Sequence, residues 1–248
     1  MPIVFRSIRA IIALTVSTLS ACGLDSTRAE EGPLAALKVI HLMQGVDNAQ
    51  IGFETGRALA TVTFSNVAPT EDAAYLFTAA DGPRKLLLLL PTSTILDSTL
   101  TLLPNTHYTV VTTGTLGASG AAAPAFVILQ NNMTRVLGGN VRFRFIHGAA
   151  ATGPVDVHIS PDSGGFDTAT RIADAVPFRG NARIEAAVGG TRTVCVIAAG
   201  VRPLPNGSNC AALRSYGVPP GAVLTAALRD PIGTEARSGI LYTLDRNP

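Results

Sequence analysis

Leu37-Lys38-Val39-Ile40-His41 and Phe143-Arg144-Phe145-Ile146-His147 carry one pattern at two places in the chain: a basic residue second, isoleucine fourth, histidine last. The correspondence continues without a gap, because Ala49-Gln50-Ile51-Gly52-Phe53 falls on Val155-Asp156-Val157-His158-Ile159. Further on, Asp81-Gly82-Pro83-Arg84 before Lys85 to Leu90 matches Gly189-Gly190-Thr191-Arg192 before Thr193 to Ala198. Pro104 to Val111 then matches Pro220 to Ala227, and Phe126 to Asn132 matches Leu241 to Asn247. A repeat of this length decides the architecture before any single element does. It sets two units, 37–133 and 141–248, with 134–140, which holds Gly138 and Gly139, as a hinge between two separately folding pieces.

Within each unit, segments of five to eight residues rich in Val, Ile, Leu, Thr and Phe alternate with Gly, Pro, Asn and Asp turns, and helical periodicity is nearly absent. Val155, Val157 and Ile159 share one strand face, which points to a core, while Asp156 and His158 share the other, which points to solvent. Leu86 to Leu90 is apolar on both faces and reads as a central core strand. The fold class predicted is all-β, with two tandem immunoglobulin-like antiparallel β-sandwich domains.

Upstream of the repeats, Arg6 and Arg9 precede the uncharged apolar run Ala10 to Leu19, which ends in Leu19-Ser20-Ala21-Cys22-Gly23. A run of about ten residues is half what a membrane-spanning helix needs, so it reads as the apolar region of a signal peptide. Residues 1–21 are expected to be cleaved, because Ser20 and Ala21 are small enough for the peptidase pocket. Cys22 is expected to be lipid-modified, since only a thiol accepts a diacylglyceryl group as a thioether. Residues 22–36 follow as a lipidated flexible tether. Two or three acyl chains hold a protein stably at a bilayer, so the membrane is a partner through the lipid on Cys22 alone. Gly23, where aspartate would argue for inner-membrane retention, points to the outer membrane.

Loss of Arg6 and Arg9 brings the formal charge of +2 close to zero, which removes any argument for nucleic acid as a partner. With 47% apolar residues over the full sequence and no tryptophan, the chain has the composition of a packed ectodomain and not of a disordered one. Once Cys22 is acylated, Cys195 and Cys210 remain in an oxidising compartment, and a disulfide between them is expected to pin the turn-rich excursion Gly200 to Asn209.

Val141-Arg142-Phe143-Arg144-Phe145-Ile146-His147-Gly148-Ala149, followed by Gly153-Pro154-Val155-Asp156-Val157, resembles the opening of repeats in a bacterial family labelled domain of unknown function 4397. The resemblance extends to both repeats and is stronger in the second. In the first, Gln50 stands where the motif has aspartate. It implies secreted or lipid-anchored envelope proteins built of β-sandwich repeats, and it implies no reaction.

His147, Asp156 and His158 form the one polar cluster with the composition of a metal or acid–base site. His41 repeats His147 without an acidic partner, which favours a structural role in which His147 and Asp156 pair to fix a loop. Neither G-x-S-x-G, S-x-x-K nor H-E-x-x-H occurs, so hydrolase readings have no motif behind them, and no cofactor motif is present. Asp162-Ser163-Gly164-Gly165-Phe166-Asp167 lacks the spacing of a calcium loop and reads as a hairpin turn. The expectation is a non-catalytic, lipid-anchored envelope module with a protein or glycan partner. The alternative is a metal-binding or metal-assisted enzyme using Asp156 and His158.

Overall fold

Sixteen strands make four four-stranded sheets in the computed structural model, which describes residues 34–246 except 47, 56–57, 66–75, 80–81, 91–92, 135, 161–164 and 187–189. The signal peptide, Cys22 and most of the tether lie outside the described residues. The first eight strands are β1 (Leu34–His41), β2 (Asn48–Thr55), β3 (Ala58–Ser65), β4 (Leu76–Ala79), β5 (Pro83–Leu90), β6 (Ser93–Thr101), β7 (His107–Thr113) and β8 (Ala125–Asn131). The second eight are β9 (Val141–His147), β10 (Val155–Ser160), β11 (Thr170–Val176), β12 (Asn181–Ala186), β13 (Gly190–Ala198), β14 (Ala212–Val218), β15 (Val223–Arg229) and β16 (Gly239–Arg246). One three-residue 3₁₀ turn, Gly120–Ala122, is the only helical element among the described residues.

The two halves share one topology. Sheets β4-β1-β7-β8 and β3-β2-β5-β6 form the first sandwich, and β12-β9-β15-β16 and β11-β10-β13-β14 form the second in the same order. Neither sandwich is purely antiparallel, because β1 runs parallel to β7 and β9 parallel to β15. The sequence alignment slips by one residue in the last strand. Val127 and Leu241, opposite Val111 and Ala227, are the true counterparts. Phe-Val-Ile-Leu reads equally well in either register, and only the cross-strand ladder chooses between them.

Each sandwich has its own core. Leu37, Val39, Ile51, Leu86, Leu88 and Val110 fill the first, and Phe143, Phe145, Val157, Val196, Leu224 and Leu228 the second. A third apolar layer lies between them, where Ile40, Leu42 and Val111 of the first repeat meet Ile146, Ala227 and Leu241 of the second. The sheets holding β1 and β9 therefore pack face to face, giving four layers. This explains why β1 is buried on both faces. At about 1.5–3 kcal/mol for each fully buried aliphatic side chain, this seam couples the two repeats energetically. Residues 32–248 accordingly cluster as a single compact body and not as two pieces about a hinge.

Polar groups specify the same seam. Lys38 Nζ donates to Thr243 Oγ1 at 2.8 Å and to Leu244 O at 2.6 Å. Its counterpart Arg144 donates to Asn131 Oδ1 and Thr109 Oγ1, both at 2.7 Å. The exchange is reciprocal, as in a two-fold interface between like subunits. The expected hinge is held as well, since Arg142 Nη1 donates to the carbonyls of Asn132 and Thr134, each at 3.0 Å. Two further expectations change. The tether ends sooner, because β1 starts at Leu34 and Ala35 and Ala36 are buried. Leu86 to Leu90 is no doubly covered strand, since Leu86 and Leu88 face the core while Leu87 and Leu89 are partly exposed on the outer face.

Candidate functional site

The outer face of the second repeat is where the sequence cluster and the disulfide meet. Asp156 and His158 alternate with the core residues of β10, as their period-two spacing requires, but they do not face open solvent. Asp156 is 1% and His158 7% exposed. Two loop segments cover them. Cys195 on β13 is bonded to Cys210, and with Phe166 and Ile197 the pair forms a small apolar cluster on this outer face. The Phe166 amide donates to Pro205 O at 2.8 Å and so stitches the two loops together. Gly207, at φ +66°, lies so close to the Phe166 ring that a Cβ there would come within 2.9 Å of it. Asp162 to Gly164 of the hairpin reading lie outside the described residues.

Asp156 organises this face. Opposite it, β11 carries a bulge, with register shifts on either side of Val157 and Ala175 in the left-handed region at φ 44°. The Ala175 amide donates to Asp156 Oδ1 at 2.8 Å, and the Gly200 amide donates to Oδ2 at 3.0 Å. Arg171 Nη1 lies 3.3 Å from Oδ2 and also donates to Asp174 at 3.0 Å. Burial pushes the Asp156 carboxyl up, but the two amides and Arg171 outweigh it and hold the group below the usual carboxylate range. Asp156 thus stays ionised, with each oxygen engaged by a backbone amide and Oδ2 by Arg171 as well.

His158 is the reverse case. Its Nε2 is buried without a hydrogen-bond partner. Burial lowers its pKa, Asp156 opposes that, and Arg171 and Arg202 add to it, so the ring is neutral near pH 7. It lies in the wall of a recess of about 520 Å³ lined also by Asp156, Phe166, Asp167, Arg171 and Arg202. That size is within the roughly 300–1,000 Å³ of small-ligand sites. An orphaned buried polar atom is costly unless something completes it.

His147 is not part of this site. It is fully buried, its Nε2 contacts Gly153 O at 2.9 Å, and it packs edge-on to Phe178. It does not pair with Asp156, because Asp156 is engaged by Ala175, Gly200 and Arg171 instead. His41 plays the equivalent part in the first repeat, with Nε2 2.9 Å from Val46 O and Nδ1 2.5 Å from Thr112 Oγ1. In both histidines burial depresses the pKa and a loop carbonyl partly offsets it. Each neutral ring ties its strand to the loop that follows. Among the described residues no three His, Cys, Asp or Glu side chains converge as a metal-ligand set.

Arg171, Arg202 and the Ala175 bulge were not singled out by the sequence reading. The usable signals were an arginine inside a Pro- and Gly-rich excursion and an aspartate placed between two valines of a buried strand.

The family model described as "Domain of unknown function (DUF4397)" matches residues 35–158, running from β1 through the first two strands of the second repeat and ending at His158. The match thus takes in all of the first repeat and only the opening of the second, although the motif resemblance is stronger in the second. A comparison with curated proteins found no match. Among solved structures, similarity is to the Bacillus anthracis TIE protein, with 10% identity, TM-score 0.24 and coverage of 84% of this chain and 34% of that one. A putative cell adhesion protein from Bacteroides eggerthii DSM 20697 is similar at 8% identity, TM-score 0.20 and coverage of 86% and 97%. A leucine-rich repeat protein from Bacteroides thetaiotaomicron VPI-5482 is similar at 12% identity, TM-score 0.19 and coverage of 84% and 27%. This chain spans about a third of the length of the first of these. Likeness at this level carries no functional conclusion.

Proposed function

We propose that this chain, which belongs to the DUF4397 family, is a non-catalytic binding module of the bacterial cell envelope, anchored through lipid on Cys22 and engaging its partner at the recess on the outer face of the second repeat. The observation that carries the reading is the buried, unpartnered His158 Nε2 in the wall of that recess. Anchorage rests on the charge, apolar run and Leu-Ser-Ala-Cys order of residues 6–22. Gly23 favours the outer membrane. The recess lies on the outer face of sheet β11-β10-β13-β14, at one end of the four-layer stack.

Two measurements test this. Mass spectrometry of membrane-extracted protein should find an acylated N-terminal Cys22, and an unmodified Met1 start would overturn the anchorage. Binding of the detergent-solubilised protein to envelope glycan and peptide arrays should be lost in Arg202→Ala. Retention unchanged by that substitution would move the binding site elsewhere. Stoichiometric zinc, copper or iron that disappears in His158→Ala would favour the metal-site alternative.

A further inference from the structure

We propose that the recess takes a saccharide carrying a carboxylate, a ligand of the uronic-acid class, with the carboxylate against Arg202 and His158 and hydroxyls toward Asp167. The proposal rests on the binding reading above and narrows it to a ligand chemistry.

The lining contains two kinds of polar group, those already engaged and those left over. Asp156 belongs to the first kind, since two backbone amides and Arg171 engage both of its oxygens. Arg171 is partly engaged, because it bridges Asp156 and Asp174 while its side chain stays about half exposed. His158 Nε2 and the guanidinium of Arg202 belong to the second. Arg202 makes no salt bridge among the described residues, although its loop is firmly held. Asn209 Nδ2 donates to Arg202 O at 3.0 Å, Asn209 Oδ1 accepts from the Leu204 amide at 2.8 Å, and the Gly200 amide is bonded to Asp156. A fixed loop presenting a free planar fork of donors fits a planar acceptor, and a carboxylate meets such a fork with two parallel hydrogen bonds. A neutral imidazole can present Nε2–H to a ligand oxygen or accept from a hydroxyl there.

Charge decides between a carboxylate and a phosphate. Arg171 and Arg202 are balanced by Asp156 and Asp167, and His158 is neutral, so the lining carries no net formal charge. A monoanion with hydroxyls suits that balance, whereas a phosphate dianion would face two aspartates with one uncommitted arginine. The remaining wall is Phe166, Ala169, Val201 and Pro203, which offers an apolar side for the C–H face of a pyranose ring. Asp167, exposed at the rim, supplies a carboxylate acceptor for ring hydroxyls.

The test is calorimetric titration of the full-length mature protein in detergent with galacturonate, galactose and inorganic phosphate. Galacturonate should bind, galactose about ten-fold or more weakly, and phosphate more weakly than galacturonate. Arg202→Ala and His158→Ala should each weaken galacturonate by about ten-fold or more, with Arg202→Lys intermediate because a lysine cannot form the bidentate pair. Arg202 is exposed, so its variants fold even if the buried His158 substitution perturbs the sheet. Equal binding of galactose and galacturonate, phosphate binding as tightly as galacturonate, or no galacturonate binding would each overturn the proposal. Loss of array binding in Arg202→Ala alongside no galacturonate binding would sink the carboxylate assignment and leave the binding reading standing.

Discussion

Lys38 of the first repeat and Asp245 of the second meet across the seam, Nζ to Oδ1 at 3.2 Å, with each side chain 1% exposed. Asp245 also accepts from Thr225 and lies 3.7 Å from Arg144. It thereby compensates two buried cations donated from opposite halves of the chain. Burying a charge without a partner is far more costly than burying a pair.

Asp245→Ala should therefore cost about 3–5 kcal/mol, because it leaves Lys38 and Arg144 in the seam without their carboxylate. The wild type should unfold in one calorimetric transition in which both repeats melt together. Two well-separated transitions in the wild type, or a loss in Asp245→Ala below about 1 kcal/mol, would contradict the account of the seam.

Reduction of Cys195–Cys210, which spans 15 residues, should remove about 3 kcal/mol on the chain-entropy model. The excursion it pins supplies Arg202 and Pro203 to the recess, so the cost should be local as well as global. Hydrogen exchange at the Leu204 and Gly207 amides, which are bonded within the excursion, should be faster in the reduced protein than in the oxidised one. Equal rates in the two states would show that the hydrogen bonds of Asn209 suffice to hold the loop.

Asp156→Ala should free the Ala175 bulge and the start of the 200–210 loop together, since one carboxylate holds both. Hydrogen exchange at the Ala175 and Gly200 amides should accelerate in the variant while the amides of β15 stay protected. The stability loss should be about 2–4 kcal/mol, the range expected when charge-assisted buried hydrogen bonds are removed. Unchanged exchange at Gly200 would mean that the loop is held independently.

Glu235 gives the pH prediction. Arg229 binds it through both guanidinium nitrogens, at 2.5 and 2.7 Å, and the Ile232 amide adds a bond at 2.9 Å. Arg229 first and Ile232 second hold its pKa at about 2, against a smaller opposing effect of burial. Because the folded value lies below the ordinary one, its contribution is full above about pH 4.5 and fades as pH falls toward 2. Glu235→Gln should lower stability near pH 7 by about 1 kcal/mol, after discounting for the half-exposed carboxylate, and should match the wild type near pH 2. A deficit that persists undiminished at pH 2 would show that the interaction is not electrostatic.

Much of the fold was legible along the chain because it is periodic. Alternation in Val155 to Ile159, turn residues at short intervals and the recurrence of Lys38 to His41 at Arg144 to His147 are one-dimensional signals, and they specify strands, faces and duplication. Cysteine pairing was legible by elimination and compartment, and the polar residues of the site by their place on one strand face.

An all-β chain of two like repeats, a Cys195–Cys210 bridge and a polar face bearing Asp156 and His158 therefore follow from residue order alone. Tertiary structure alone decided what covers those faces. Lys38 and Arg144 read as solvent-facing in a half-buried strand, and only the stacking of one repeat on the other makes them buried donors to residues more than a hundred positions away or in the opposite sheet. Asp156 and His158 likewise look exposed until the loops carrying Phe166 and Arg202 fold over them, which engages the carboxylate and leaves the imidazole nitrogen bare. The reason is physical: strand periodicity encodes which side a residue points to, but burial and hydrogen bonding depend on what arrives on that side from elsewhere in the chain.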